Sequence, residues 1–379
     1  MPVRAKLIEL FNRAIVRKKD GKQEYYLNGD DNLYPYSIER VINNSPTAKG
    51  AANVMAKYIS GFIEDAENPI VNRKKNYRLS DVIKLIGEDL AKQGGSFIWV
   101  GYGINEDGKI TPNSLDVLDY KKCRICVEDD EENAGKIIYH DFSEKSSFGK
   151  KSEKRYFYPF TSNQAVLLER IKKEGKTLEE AIVSFKGQVF FLNPSNYIYP
   201  LAPIDPAYND ADTEYRIGEY TNTQTRSGFL GKTIISTVGM DEETEAQTSQ
   251  DLAKFLGAEN SGSIYYINHE TGTDLSTVLR IDQLKPQFDD KLFESTDKRL
   301  RRNILSCFNN IPEALIYSSD GALFGANSET YKEMKIFYSE QTDYERSKIE
   351  ETLRLIGFPC TIKSLIEDEN DLPKPNIND

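Results

Sequence analysis

Apolar residues recur at helical spacing in two stretches near the start of the chain. From Pro46 to Ile63, Ala48, Ala51, Ala52, Met55 and Ile59 fall on one face and Gly61 stands just past the end, which predicts a helix. Leu79 to Ala91 repeats the pattern through Val82, Ile83, Leu85, Ile86 and Leu90, with Ser80 as the expected N-cap. Strand-like runs follow at Phe97–Tyr102 and Leu115–Val127, with Asn105-Glu-Asp-Gly108 as a hairpin turn. Glu128–Lys154, dense in charge, Ser and Gly, reads as an exposed hairpin or loop, and Gly187–Tyr199 returns to strand-like sequence. Helices beside an alternating sheet make this first section α+β. Pro194, Pro200, Pro203 and Pro206 mark its end.

The pattern then changes. Pro206 to Arg226 is polar nearly all round, with Tyr208, Ala211 and Tyr215 as its main stripe, so a helix here needs neighbours to stabilise it. A small β-α-β unit is expected next: strand Lys232–Val238, helix Glu242–Leu256, strand Ser263–His269. At roughly fifty residues it is too small for a robust core of its own. A second helix runs to Phe308, with Leu292, Phe293, Thr296, Leu300, Ile304 and Cys307 on one arc and Glu294, Lys298, Arg301 and Arg302 on the other. Asn309–Asn327 is a Ser-, Gly- and Asn-rich loop in which Leu315, Ile316, Leu323 and Phe324 have no obvious core to join. One long helix is expected from Asn327 or Ser328 to Gly357, ahead of an acidic tail from Glu367 to Asp379.

Composition narrows the function classes. The chain has 379 residues, enough for two or three domains, and its 39% hydrophobic content is that of a globular protein. No apolar run approaches a membrane span. Met1–Phe11 mixes Arg4, Lys6 and Glu9 among its apolar residues and does not read as a signal peptide, so a cytoplasmic site of synthesis is expected. A net charge of −11 argues against gripping nucleic acid by phosphate neutralisation.

Candidate chemistry is sparse. His140 and His269, the two histidines, lie in strand-like runs without other ligands at metal spacing, so neither a metal site nor a cofactor is expected. Cys123 and Cys126 form a C-x-x-C, but with no second pair they read as strand residues. Gly231-Lys-Thr233 imitates the end of a phosphate-binding loop; Arg226 stands where that motif needs glycine, and β-favouring residues follow instead of a helix. No enzymatic activity is expected.

Asn309-Asn-Ile-Pro-Glu-Ala-Leu-Ile316, followed by Phe324-Gly-Ala-Asn-Ser-Glu329 and a long helix, resembles a Val-Pro-Pro-x-Leu-Leu then Ser-Asn-x-Glu pattern. That is the pattern of the portal proteins of tailed bacteriophages, in the HK97-type branch. Phe255–Ile264 and Leu90–Val100 resemble other steps of the same family, so the likeness covers most of the chain. Glu313 departs from the family's second proline. Tyr344 stands near the place of a proline common in the long helix, which implies a straighter helix.

The resemblance implies a ring of twelve subunits at one capsid vertex of the virion, assembled in the host cytoplasm. Double-stranded DNA would pass through it unread during packaging and ejection. Residues 1–206 would be the wing, 207–226 and 289–308 the stem helices, 227–288 the clip, 309–327 the tunnel loop and 328–358 the helix returning to the wing. Residues 359–379 would be a tail in place of a crown. Large terminase, a head-tail adaptor, and the major capsid or scaffold protein would be partners; no membrane is implied. Ser318, Ser319, Asp320, Leu323 and Phe324 would form the channel contact, unless the two apolar side chains pack beneath the loop. Lys298, Arg301 and Arg302 would make a basic belt, or a surface compensated by Glu294 and Asp297 at four-residue spacing. Asp241, Glu242, Glu243 and Glu245 would dock a partner, or simply favour a helix N-terminus. Another ring adaptor, or a nucleotide-driven DNA motor subunit, are the rival readings.

Overall fold

Ser45 opens a helix: its hydroxyl accepts from the Ala48 N–H at 3.0 Å, and Pro46 supplies a preset first turn. In the computed structural model, which describes residues 24–128, 133–143, 153–226, 233–238, 246–247, 264–269, 290–317 and 328–365, this helix is the second of the fold. The first elements are α1 (Tyr34–Asn44), α2 (Pro46–Ser60), β1 (Ile70–Asn72), β2 (Tyr77–Arg78) and α3 (Leu79–Gln93). Alanine and glycine let α2 and α3 approach closely: a Cβ on Gly87 would stand 2.5 Å from the Ser60 hydroxyl and 3.0 Å from the Ala56 carbonyl oxygen. Ser80 is not the cap of α3. That place falls to Arg78, whose N–H is taken by the Asp81 carboxylate at 3.0 Å, while Ser80 pairs with Asn68.

A six-stranded sheet follows from β3 (Ser96–Ile104), β4 (Ile110–Leu118), β5 (Cys123–Ile125), β6 (Ile137–Tyr139), β7 (Arg155–Pro159) and β8 (Gln188–Leu192). Its order is β4-β3-β8-β7-β6-β5, antiparallel except for the parallel β7–β8 pair. The single strand expected over Leu115–Val127 is therefore two, at opposite edges. The Asp119 carboxylate accepts from the Lys121 N–H at 3.2 Å and turns the chain through a 3₁₀ segment, Tyr120–Lys122. Cys123 lies in β5, Cys126 makes an isolated bridge to Tyr25, and both are buried free thiols. Arg124, between them, is buried too. It donates to the Asn32 carbonyl oxygen at 2.7 Å and the Cys123 carbonyl oxygen at 2.6 Å, and stacks on Phe142 at 4.6 Å.

Helices α4 (Gln164–Lys172) and α5 (Leu178–Ser184) precede β8. With α1, β1, β2 and β7 they are elements that the hydrophobic pattern does not single out, and β6 lies within Glu128–Lys154, where an exposed hairpin or loop is expected, with Ile137 and Ile138 buried. After a 3₁₀ turn come α6 (Tyr208–Arg226), the parallel strands β9 (Thr233–Val238) and β10 (Ile264–His269), and α7 (Asp290–Cys307). Of the expected helix Glu242–Leu256, only 246–247 are described, and they are helical. Thr233 opens a strand, the opposite of what a phosphate-binding loop requires.

The long helix expected from Ser328 to Gly357 is broken. It is α8 (Ser328–Gln341) and α9 (Asp343–Ile356), with Thr342 between them at φ −105° and ψ 6°. The missing proline does not straighten it.

The chain divides into two compact units. One comprises Met1–Asp212 with Leu300–Asp379, the other Thr213–Arg299. In the first, the main core joins α1, α2, α3 and one face of the sheet to Ile304 and Phe308 of the α7 end and to Ile349, Leu353 and Ile356 of α9. Helices beside a mostly antiparallel sheet make this an α+β fold, as the sequence predicts.

Candidate functional site

The segment 318–327, which holds Ser318, Ser319, Asp320, Leu323 and Phe324, lies outside the described residues; the chain on both sides of it is anchored. On the upstream side, α7 is followed by Phe308, fully buried, and Asn309 and Asn310 take left-handed backbone at φ 57° and 54° to reverse the chain. A 3₁₀ turn, Glu313–Leu315, leads to Tyr317. The Tyr317 hydroxyl is 2.6 Å from that of Thr47 at the start of α2, and the Arg301 guanidinium lies over its ring at 5.0 Å. Leu315 and Ile316 are not left without a core as expected. Both are half-buried against the main cluster, and Ile316 comes within 2.9 Å of where a Cβ on Gly50 would stand.

Downstream, Tyr338 of α8 is fully buried, donates to the Phe308 carbonyl oxygen at 3.0 Å and meets Tyr58 edge-on at 5.0 Å. Burial raises its hydroxyl pKa well above the ordinary range. Asn309 reaches across to the Gln341 carbonyl oxygen and the Glu345 carboxylate, both at 3.0 Å. The break itself is held by Arg346, which is 5% exposed. Its guanidinium donates to the carbonyl oxygens of Ser339 at 2.6 Å and Tyr58 at 2.9 Å, to the Thr342 hydroxyl at 3.0 Å and to Asp343 at 3.2 Å. A carbonyl released by the interrupted helix thus has a cationic donor. The available signal was an arginine on the apolar stripe Ile349, Leu353, Ile356.

The basic cluster is split. Arg301 is half-buried against Tyr317, whereas Lys298 and Arg302 are exposed. Next to it, Asn303 donates to Asp210 of α6 at 3.0 Å. Within the second unit, no residue of α6 from 213 to 222 is buried, and Tyr220 is 40% exposed. On α8 and α9, Ile336, Phe337, Tyr344 and Leu355 are all exposed. Asp241, Glu242, Glu243 and Glu245 fall outside the described residues. Among the described residues no group of His, Cys, Asp and Glu is placed to hold a metal ion, and no helix is long and apolar enough to cross a membrane.

No family model matches the chain, and no curated protein does. Among solved structures, a chain of the virion of a native gene transfer agent particle is similar at 12% identity and a TM-score of 0.49, over 89% of this chain and 87% of that one. A chain of the neck of the native particle, computed with C12 symmetry, has the same identity and score over 89% and 86%. One from the neck of the empty particle, computed with C6 symmetry, gives 11% and 0.44 over 90% and 86%. At these values the likeness says nothing of what this chain binds or assembles with.

Proposed function

We infer that this chain is a non-catalytic subunit of a closed homo-oligomeric ring of the portal type, seated in a virion at a capsid vertex and passing double-stranded DNA without reading it. The order of parts carries the reading: an α+β body, a polar helix, a parallel strand pair, a returning helix, an anchored loop and a broken helix. Two features of these elements call for neighbouring subunits. No residue of the 213–222 stretch of α6 is fully buried, and α8 and α9 expose Ile336, Phe337 and Tyr344, which a ring contact would cover. In this reading 207–226 and 289–308 are the stem, 227–288 the clip and 309–327 the tunnel loop. The clip acids Asp241, Glu242, Glu243 and Glu245 then dock large terminase or the head-tail adaptor, and the wing meets capsid or scaffold protein. Summed over a ring, the net charge of −11 per subunit keeps DNA from adhering to the channel.

Leu323 and Phe324 act in this account as the apolar tips that close on the duplex. Particles assembled with both changed to alanine should form at normal yield and lose packaged DNA; full retention would remove the role. The rival adaptor reading differs in that such a change would leave packaging and retention alone while tail attachment suffered.

A further inference from the structure

One face of the six-stranded sheet is covered along only part of its length. Phe97 is buried there beneath Tyr120, Phe157 and Tyr199, but two residues along β3 the cover stops, and Trp99, Gly101 and Gly103 line an open groove of about 1130 Å³. Trp99 lies down on the sheet in this groove. A Cβ on Gly101 would come within 2.7 Å of its ring, one on Gly187 within 2.7 Å of its indole nitrogen, and that nitrogen donates to the Lys186 carbonyl oxygen at 2.7 Å. The two glycines clear the space for a flat indole platform.

The rim is basic. Arg73, Lys74, Arg155 and Lys186 line the groove and are exposed, and the side chains of these four have no hydrogen bond or ion pair among the described residues. Lys75 beside them is already neutralised by Asp116 at 2.8 Å. Four cations around one indole, with Glu153 as the exposed carboxylate of the same lining, leave a basic excess that, in a chain of net charge −11, fits an anionic occupant with a rigid apolar part.

The sequence contains such a segment. Glu367, Asp368, Glu369 and Asp371 place four carboxylates in a short run, and Leu372-Pro-Lys-Pro375 follows, a proline pattern suited to lying on a flat aromatic ring. Its starting point is fixed. Lys363 pairs with Phe62 in an antiparallel bridge, at 3.0 and 2.9 Å, and Leu365 packs against the main core. About eleven residues join Phe62 to Arg73, so the groove wall is at most roughly 40 Å from the anchor; the roughly sixteen residues beyond Lys363 extend to about 55 Å.

We propose that this groove holds the chain's own C-terminal segment, residues 366–379, with its acidic run against the four cations and its prolines over Trp99. The inference does not depend on the ring reading.

Trp99 is the sole tryptophan, so indole emission reports on this groove alone. Acrylamide quenching is to be compared between the full chain and a full-length variant carrying Glu367→Gln, Asp368→Asn, Glu369→Gln and Asp371→Asn. A second variant, Arg73→Ser with Lys74→Ser, removes half of the rim, and far-UV circular dichroism controls for folding. Quenching should rise about twofold in both variants, and in the unmodified chain at 1 M salt, as the indole face opens. Equal quenching in all of them overturns the proposal. So does emission that is indifferent to the tail charges but shifts on adding a single-stranded oligothymidylate, which would give the groove to a nucleic-acid strand.

Discussion

The Arg346 guanidinium donates to the Ser339 carbonyl oxygen at 2.6 Å, across the break between α8 and α9. An interrupted helix leaves carbonyls without N–H partners, and burial makes each costly unless a donor is supplied. Arg346 supplies one and, through Tyr58, ties the break to α2. Arg346→Met keeps the stem but takes the cationic donor from the Tyr58 carbonyl oxygen and leaves the Ser339 one only its bonds from Thr342, so it should cost about 1 to 3 kcal/mol. Thermal unfolding would show this as a drop of several degrees; an unchanged midpoint would mean that the break is satisfied otherwise.

Asp89 on α3 accepts a hydrogen bond from the Ser96 hydroxyl at 2.9 Å, yet burial, with Asp119 and Glu88 nearby, pushes its carboxyl up to about 8. Between its ordinary value near 3.8 and 8, the unfolded chain has lost this proton and the folded chain keeps it. Stability from this group is therefore fully present below pH 3.8 and falls as pH rises to 8. Asp89→Asn should raise the unfolding midpoint at pH 8, leave it nearly unchanged at pH 4, and flatten the dependence between. Because the residue keeps an exposed edge, the gain should be about 1 to 2 kcal/mol, less than the whole shift implies. Parallel curves for the two proteins would contradict it.

Arg301 and Arg302 are neighbours in sequence with different surroundings. Arg301 stacks on Tyr317 at the entry to the 318–327 segment, while Arg302 is exposed. Arg301→Glu should destabilise the subunit by about 1 to 2 kcal/mol and Arg302→Glu by less than about 0.5 kcal/mol in denaturant melts. Equal effects would argue for a shared role as a basic belt.

Ile336 and Phe337, 45% and 44% exposed on α8, are expected at the contact between subunits. Changing both to Asp should leave the subunit's own melting within about 0.5 kcal/mol and prevent assembly, read by sedimentation velocity. Assembly at normal mass would place the contact elsewhere.

The sequence made some of this legible and hid the rest for physical reasons. α2 and α3 were readable because their small and aliphatic residues keep helical spacing where the helices meet. The split of Leu115–Val127 was not, because alternation runs on through a turn set by a single Asp119 side chain. The break at Thr342 has neither proline nor glycine; it depends on Arg346, whose partners Tyr58 and Ser339 lie far apart along the chain. Of the candidate site, Lys298, Arg301 and Arg302 were identified from helical spacing, but only the fold sets Arg301 against Tyr317. The groove around Trp99 was hidden because Arg73, Arg155 and Lys186 converge only when β1, β7 and β8 assemble; the Trp-x-Gly-x-Gly alternation in β3 was its one local sign.

The most direct test of the ring reading is electron microscopy of the concentrated, purified protein, with particle images classified by rotational symmetry. The account predicts closed rings, twelve-fold by the resemblance, around a hole of about 20 Å or more, wide enough for a duplex. Particles that remain monomers or dimers at every concentration, with capsid or scaffold protein supplied as well as without, would contradict it.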